Sequence, residues 1–299
     1  MTSTLLEAAN LACKQIGQAV VMHDAFKRAR DTIIELVELA EISGTPFGAC
    51  VVGPSGIGKN TLISVLRQQV GSADLFGARP LSMSLSIQAT PSVGQVIGAM
   101  LTQLSFPPTI RPAKVYEQSV DLVAAMKDQR VKLLFINEAH HLSEGGRRLS
   151  GKTITDYLKL VVDDTNIVVV MLGTASGGYL EQLNDQLFSR APARCKLEAF
   201  PANSAWAAIL QGLAKECEAF DISAAHTQFD KQVHKATKGL LRPLKQLLMM
   251  SVRKAALRGL LAIDQQALFE AFDVLFGDSG RVANPFAKKA GHAARAAAV

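Results

Sequence analysis

The sequence predicts an α/β fold, a parallel sheet core followed by a small helical domain. Three observations predict it. Four short apolar runs alternate with amphipathic stretches up to about residue 200. A glycine-rich loop joins the first of these runs to the helix behind it. From Pro201 onward only helical periodicity remains. Strands that are apolar on both faces and separated by helices belong to a parallel sheet covered on both sides.

Taken in order, the chain up to about Ser43 reads as helices. In DAFKRARDTIIELVELAEIS, Phe26, Ile33, Ile34, Val37 and Leu39–Ala40 recur at roughly helical spacing, with Asp24 as the expected N-cap. SGTP breaks the pattern. FGACVVG, bounded by glycines, reads as a buried strand, and NTLISVLRQQV follows with helical periodicity. LSMSLSI is a second apolar run. A helix opens at TPSVGQVIGAMLTQL, and the Pro-rich FPPTIRP links it to another helix running through Met126. KLLFIN and NIVVVMLG are the third and fourth strands, with a helix from about Thr153 to Asp163 between them. Beyond Pro201, segments near 203–219, 226–238, 242–258 and 264–275 read as helical. The expected organisation is an N-terminal helical segment (1–43), an α/β core (44–200), a helical lid domain (201–278) and a loosely ordered basic tail (279–299).

Bulk properties limit the functional classes. The 299 residues are 48% hydrophobic and 19% charged, ordinary for a globular protein able to bury a full core. No run of 18 apolar residues suits a membrane span, and MTSTLLEAANLACKQIG lacks the basic-then-apolar pattern of a signal peptide. Cys13, Cys50, Cys195 and Cys217 are scattered without metal-ligand spacing, as expected of free thiols in a cytoplasmic protein. The net charge is +6, of which Arg281, Lys288, Lys289 and Arg295 in the tail supply four, leaving +2 for the rest. That balance is compatible with DNA binding without requiring it.

GPSGIGKN fits the phosphate-loop pattern G-x-x-x-x-G-K, with a strand before it and a helix after it. Gly53, Gly56 and Gly58 permit the tight turn, and Pro54, Ser55 and Ile57 complete a loop whose N–H groups face the phosphates. The helix N-terminus adds its positive end, and Lys59 brings a mobile charge to the β- and γ-phosphates of a nucleotide. Asn60 occupies the position where a hydroxyl usually serves Mg²⁺. Thr61 is one residue on, about 100° around the helix, and a poor substitute.

KLLFINEAHHL has the form of a Walker B strand that ends in two polar residues. The first, usually an Asp beside Mg²⁺, is Asn137; the second, Glu138, is expected to orient the attacking water. Both magnesium positions therefore carry an amide, a neutral and weaker ligand than a carboxylate, so hydrolysis is expected to be slow. His140 and His141 are adjacent and point apart, a poor arrangement for sharing a metal.

GPSGIGKNTLI, LLFINEAHHL, VVVMLGTASG and QLFSRA occur in this order across roughly residues 25–260, and together they resemble the TniB/TnsC family of AAA+ ATPases that regulate DNA transposition. The resemblance implies an AAA+ P-loop core with a helical lid and ATP with Mg²⁺ as cofactors. It makes Thr174 the sensor-1 residue and Arg190 the arginine finger that reaches a neighbouring subunit's ATP, with Arg194 as the rival. Arg242, near Pro243 and Lys245, resembles sensor 2. It further implies a homo-oligomeric ring or filament on double-stranded DNA, which marks a target and recruits transposase and target-selection proteins.

Candidate DNA contacts are Arg147, Arg148 and Lys152, expected on a Gly-rich loop, with Arg111 and Lys114 beside the Pro-rich connector as a second set. The alternative for each is an ordinary solvated surface. No recognisable base-reading module is present, so largely sequence-nonspecific backbone contact is expected. Two other functions fit the same motifs: a nucleotide-gated protein-interaction ATPase that touches no DNA, and a degenerate ATPase acting as a structural subunit.

Overall fold

The computed structural model describes residues 3–70, 82–87, 92–104, 115–142, 148–174, 190–277 and 283–287. These fall into two compact units, Met22–Glu198 and Met1–Val21 with Ala199–Val299. The segment expected as one N-terminal piece is divided between them. Helix α1 (Ser3–Gln18) belongs with the C-terminal helices, and α2 (Asp24–Ser43) belongs with the sheet.

The unit Met22–Glu198 follows the order α2, β1 (Gly48–Val52), α3 (Lys59–Val70), β2 (Ser82–Ser86), α4 (Val93–Gln103), α5 (Val115–Asp128), β3 (Leu133–Asn137), α6 (Arg148–Thr165), β4 (Val168–Gly173) and β5 (Ala193–Lys196). Its five strands form one sheet in the order β2-β3-β4-β1-β5, all parallel. All six residues of β4 are buried, as are the first four of β1 and of β3. That is the burial their continuous apolar runs demand. The edges are built differently. On β2, the Gln103 side chain accepts from Ser84 N–H at 2.9 Å and donates to its carbonyl at 2.7 Å, occupying hydrogen-bonding groups an edge would otherwise expose. On β5, Arg194 and Lys196 are exposed while Ala193 and Cys195 are half-buried.

Two local expectations are corrected. The N-cap of α2 is His23, whose Nδ1 accepts from Phe26 N–H at 3.3 Å, and Asp24 is the first helical residue. Helix α6 starts at Arg148, before the expected Thr153, so Lys152 lies in a helix instead of a loop. Gly151 lowers helix propensity by about 1 kcal/mol. Burial of Ile154, Leu158, Val161 and Val162 on one face outweighs that cost.

The other unit packs α1 with α7 (Ser204–Glu216), α8 (Ala224–Thr227), α9 (Asp230–Thr237), α10 (Leu241–Leu257) and α11 (Gln265–Phe276). Lys245 of α10 donates to the carbonyls of Gly17 at 2.9 Å and Ala19 at 2.6 Å, which closes the C-terminal end of α1. Trp206 is buried edge-on against His234, with ring centroids 5.1 Å apart, and its Nε1 donates to Asp230 O at 3.3 Å. Part of the expected loose tail is docked here. Phe286 is buried between Phe229 and Phe272, and Asn284 Nδ2 donates to Phe269 O at 3.0 Å and Asp273 Oδ1 at 2.8 Å.

Candidate nucleotide site

Three chain segments named by the sequence leave the sheet at the same edge. β4 lies between β1 and β3, so the C-terminal ends of these three strands are neighbours. Val52 is registered with Gly173, and Ile136 with Met171, which brings the phosphate loop, Thr174 and the Asn137–Glu138 pair off adjacent strands. Open α/β sheets hold their ligands at this carboxyl edge.

The phosphate loop is tied to the sheet on both sides. Gly53 N–H donates to Gly173 O at 3.1 Å, and Leu197 N–H donates to Val52 O at 2.8 Å. A Cβ on Gly53 would run into the Leu197 carbonyl, so only glycine allows this approach. Gly56 and Gly58 have φ of +83° and +114°, the conformations the turn requires. Ile57 is fully buried and anchors the loop, while Pro54 is half-buried and Ser55 exposed. Lys59 opens α3, and its buried Nζ donates to Gly53 O at 2.6 Å and Pro54 O at 3.1 Å. This cradle, with its inward ammonium, fits the phosphates of a nucleotide. Those carbonyl contacts hold Lys59 back against its own loop, and a phosphate would compete for it.

The donors available to Mg²⁺ are weaker. Asn60 is exposed in the first turn of α3, next to half-buried Thr61, and Asn137 is half-buried at the end of β3. Both offer neutral amide oxygens, so a bound cation would draw most of its negative charge from the phosphates and from Glu138. Among the described residues no group of three or more His, Cys, Asp or Glu could hold a metal by itself. Glu138 is exposed, with φ of +53°, at the bend between β3 and the 3-10 turn Ala139–Leu142. Left-handed backbone without glycine costs about 1 kcal/mol or more and is concentrated at functional sites.

Of the remaining predicted residues, Arg190 lies just before β5, where it pairs with Asp163 of α6. The Arg194 side chain folds back on the carbonyls of Ala191 and Ala193. Arg242 is exposed in the first turn of α10, in the helical unit. Lys152 is exposed on α6; Arg148 is the first residue of that helix; Arg147, Arg111 and Lys114 lie outside the described residues.

The family model described as Bacterial TniB protein matches residues 15–198, more than half of the chain. The chain belongs to the TniB family. No curated protein matches it. Among solved structures, this TniB-family chain is similar to the Aeropyrum pernix ORC1 protein in complex with DNA, at 15% identity and a TM-score of 0.63, over 84% of this chain and 65% of that one. It is also similar to the Aeropyrum pernix ORC2 protein in its ADPNP-ADP complexes, at 14% identity and a TM-score of 0.64, over 90% and 74%. The Thermotoga maritima RuvB Holliday junction branch migration motor matches at 15% identity and a TM-score of 0.53, over 88% and 72%. The chain thus spans just under two thirds of the ORC1 protein's length. At such identities the likeness concerns the fold, which is that of AAA+ P-loop ATPases. No helix among the described residues is long and apolar enough to cross a membrane.

Proposed function

We propose that this chain is an ATP-dependent regulator of DNA transposition that assembles as a homo-oligomer on duplex DNA and recruits transposase, with slow hydrolysis. The observation that carries the reading is the buried Lys59 ammonium in a glycine cradle, at the sheet edge where Thr174 and Glu138 also emerge. Membership of the TniB family supports the link to transposition, and the structural likeness to the ORC1 protein in complex with DNA supports DNA as the platform. In this reading Lys59 and the loop N–H groups of 53–60 hold the phosphates, and Thr174 senses the terminal one. Glu138 orients water, Arg190 serves a neighbouring subunit, Arg242 acts from the helical lid, and Arg147, Arg148 and Lys152 meet the DNA backbone. Bound Mg²⁺ would neutralise phosphate charge, with only amide help from Asn60 and Asn137. ATP then serves mainly as an assembly signal.

The test is size-resolved assembly on nonspecific duplex DNA with ATP, ADP or no nucleotide at two salt concentrations. Large assemblies that need both ATP and DNA and dissolve with salt are expected. Assembly indifferent to DNA would transfer the function to protein partners. The paired amides favour a second reading, a structural subunit that binds ATP without turning it over. Absence of hydrolysis by the purified chain, with assembly intact, would select it.

A further inference from the structure

Between Asp230 and Asp264 the chain has eight Lys and Arg and no Asp or Glu, a run of 33 residues whose charge exceeds the net +6 of the whole protein. The run covers α9 and α10 of the helical unit. Two of its members are already occupied. Lys245 closes α1, and Arg258 is paired with Asp264. Lys231, Lys235 and Lys238 are different. Lys231 and Lys235 stand at i and i+4 on one side of α9, and Lys238 follows three residues on as the left-handed C-cap of that helix. All three are exposed, while Val233 and Thr237 on the other side are buried. None of the three is ion-paired among the described residues, whereas Arg30, Lys132, Arg190, Lys196 and Arg258 all are. Asp230, the first residue of α9, is the one acid adjoining the stripe in sequence.

We infer that this stripe is a nucleic-acid backbone contact, separate from the residues around α6. At about 1.5 Å per residue, Lys231 to Lys238 spans about 10 Å. Measured along the duplex axis, that length covers about three phosphates of one strand, at about 3.4 Å of rise each. Lysine side chains reach such a row as mobile point charges, without base preference, which suits sequence-nonspecific binding. The rigid base of the stripe supports this use. α9 is fixed underneath by the Trp206–His234 contact and by His234 Nε2 at 2.7 Å from Phe200 O, so Lys231, Lys235 and the C-cap Lys238 extend from a fixed helix and its end. The inference rests on the proposed DNA-binding function and extends it to the helical unit.

The experiment compares the full chain with K231Q/K235Q/K238Q and with a charge-matched control, K14Q/K27Q/K215Q, in which three exposed lysines elsewhere are neutralised. Arg242 is left intact because of its proposed nucleotide role. Binding of a nonspecific duplex with ATP is titrated at several salt concentrations. The stripe variant should bind roughly 10- to 100-fold more weakly, and the slope of log K against log salt should flatten by about 2.7, about 0.9 per lost contact. The control should keep the slope of the unmodified chain. An unchanged slope in the stripe variant, with the unmodified chain still binding DNA, would overturn the stripe and leave the proposed function standing. If the unmodified chain binds no duplex, the DNA reading falls and the stripe falls with it. Normal DNA binding with lost self-assembly would assign the lysines to an acidic face of a second copy, and so also overturn the inference.

Discussion

Arg190 meets Asp163 edge-on: Nη2 donates to Oδ2 at 3.2 Å, and Nε stands 3.0 Å from Oδ1, close enough for ion pairing but poorly aligned for a hydrogen bond. The contact leaves Nη1 without a hydrogen bond among the described residues. A guanidinium held along one edge keeps the other for a phosphate. The two side chains are 39% and 29% exposed, so the pair adds at most about 1 kcal/mol to stability. Asp163→Asn should therefore leave chemical denaturation nearly unchanged. Arg190→Ala should raise the protein concentration for ATP-dependent assembly at least about tenfold, since an arginine finger serves the neighbouring subunit's nucleotide. If Arg194→Ala has that effect and Arg190→Ala does not, Arg194 takes the role.

Asn137→Asp is predicted to raise ATP turnover several-fold, and further when combined with Asn60→Thr. The aspartate supplies a carboxylate, which a hard cation prefers over an amide, and the threonine supplies the smaller hydroxyl usual at that position of a phosphate loop. Steady-state phosphate release with Mg²⁺ is the measurement. Turnover that does not rise in Asn137→Asp would mean that something other than the missing carboxylate limits the reaction.

Glu138 sits at φ of +53° after a strand, where no helix end calls for that geometry. Replacing it by Ala and by Gly removes the same carboxylate but differs in backbone cost. The Gly variant should be more stable than the Ala variant by about 0.5–1 kcal/mol, and both should lose turnover. Urea unfolding of the two proteins decides the first point. Equal stability would show that the left-handed backbone carries no cost there.

Burial pushes the thiols of Cys13, Cys195 and Cys217 above the ordinary value of 9.0. The folded chain then keeps these protons at pH values where the unfolded chain has lost them. Their contribution to stability is complete below the unfolded thiol pKa and is lost as pH rises through the folded value. Melting temperature should fall with increasing alkalinity from about pH 9 upward, less steeply when the three cysteines are replaced by alanine. Alkylation at neutral pH should be at least about tenfold slower in the native protein than in urea, because the thiolate is the reactive form.

The readable parts of the chain were those with strong local pattern. β1, β3 and β4 are apolar along nearly their whole length because both faces are covered, and the glycine spacing of 53–58 permits few other loops. β5 carried no such signal: ARCK alternates half-buried and exposed residues at an edge, and a polar edge strand looks like a loop. Helix α6 starts at Arg148, earlier than local pattern indicates, because Gly151 masks a helix held by packing. The basic stripe lies in an acid-free run, and acids elsewhere in the chain offset its charge, so the net +6 does not reveal it.

By itself the sequence determined the phosphate-loop pattern, the amides Asn60 and Asn137 and the α/β order, because each is read from short stretches of neighbouring residues. Tertiary structure alone decided the partners of distant residues. It registered Val52 with Gly173, paired Arg190 with Asp163, joined α1 to the C-terminal helices and docked Phe286 in their core. These contacts form between segments far apart in sequence, where many pairings satisfy the same local preferences, and only packing the whole chain selects one.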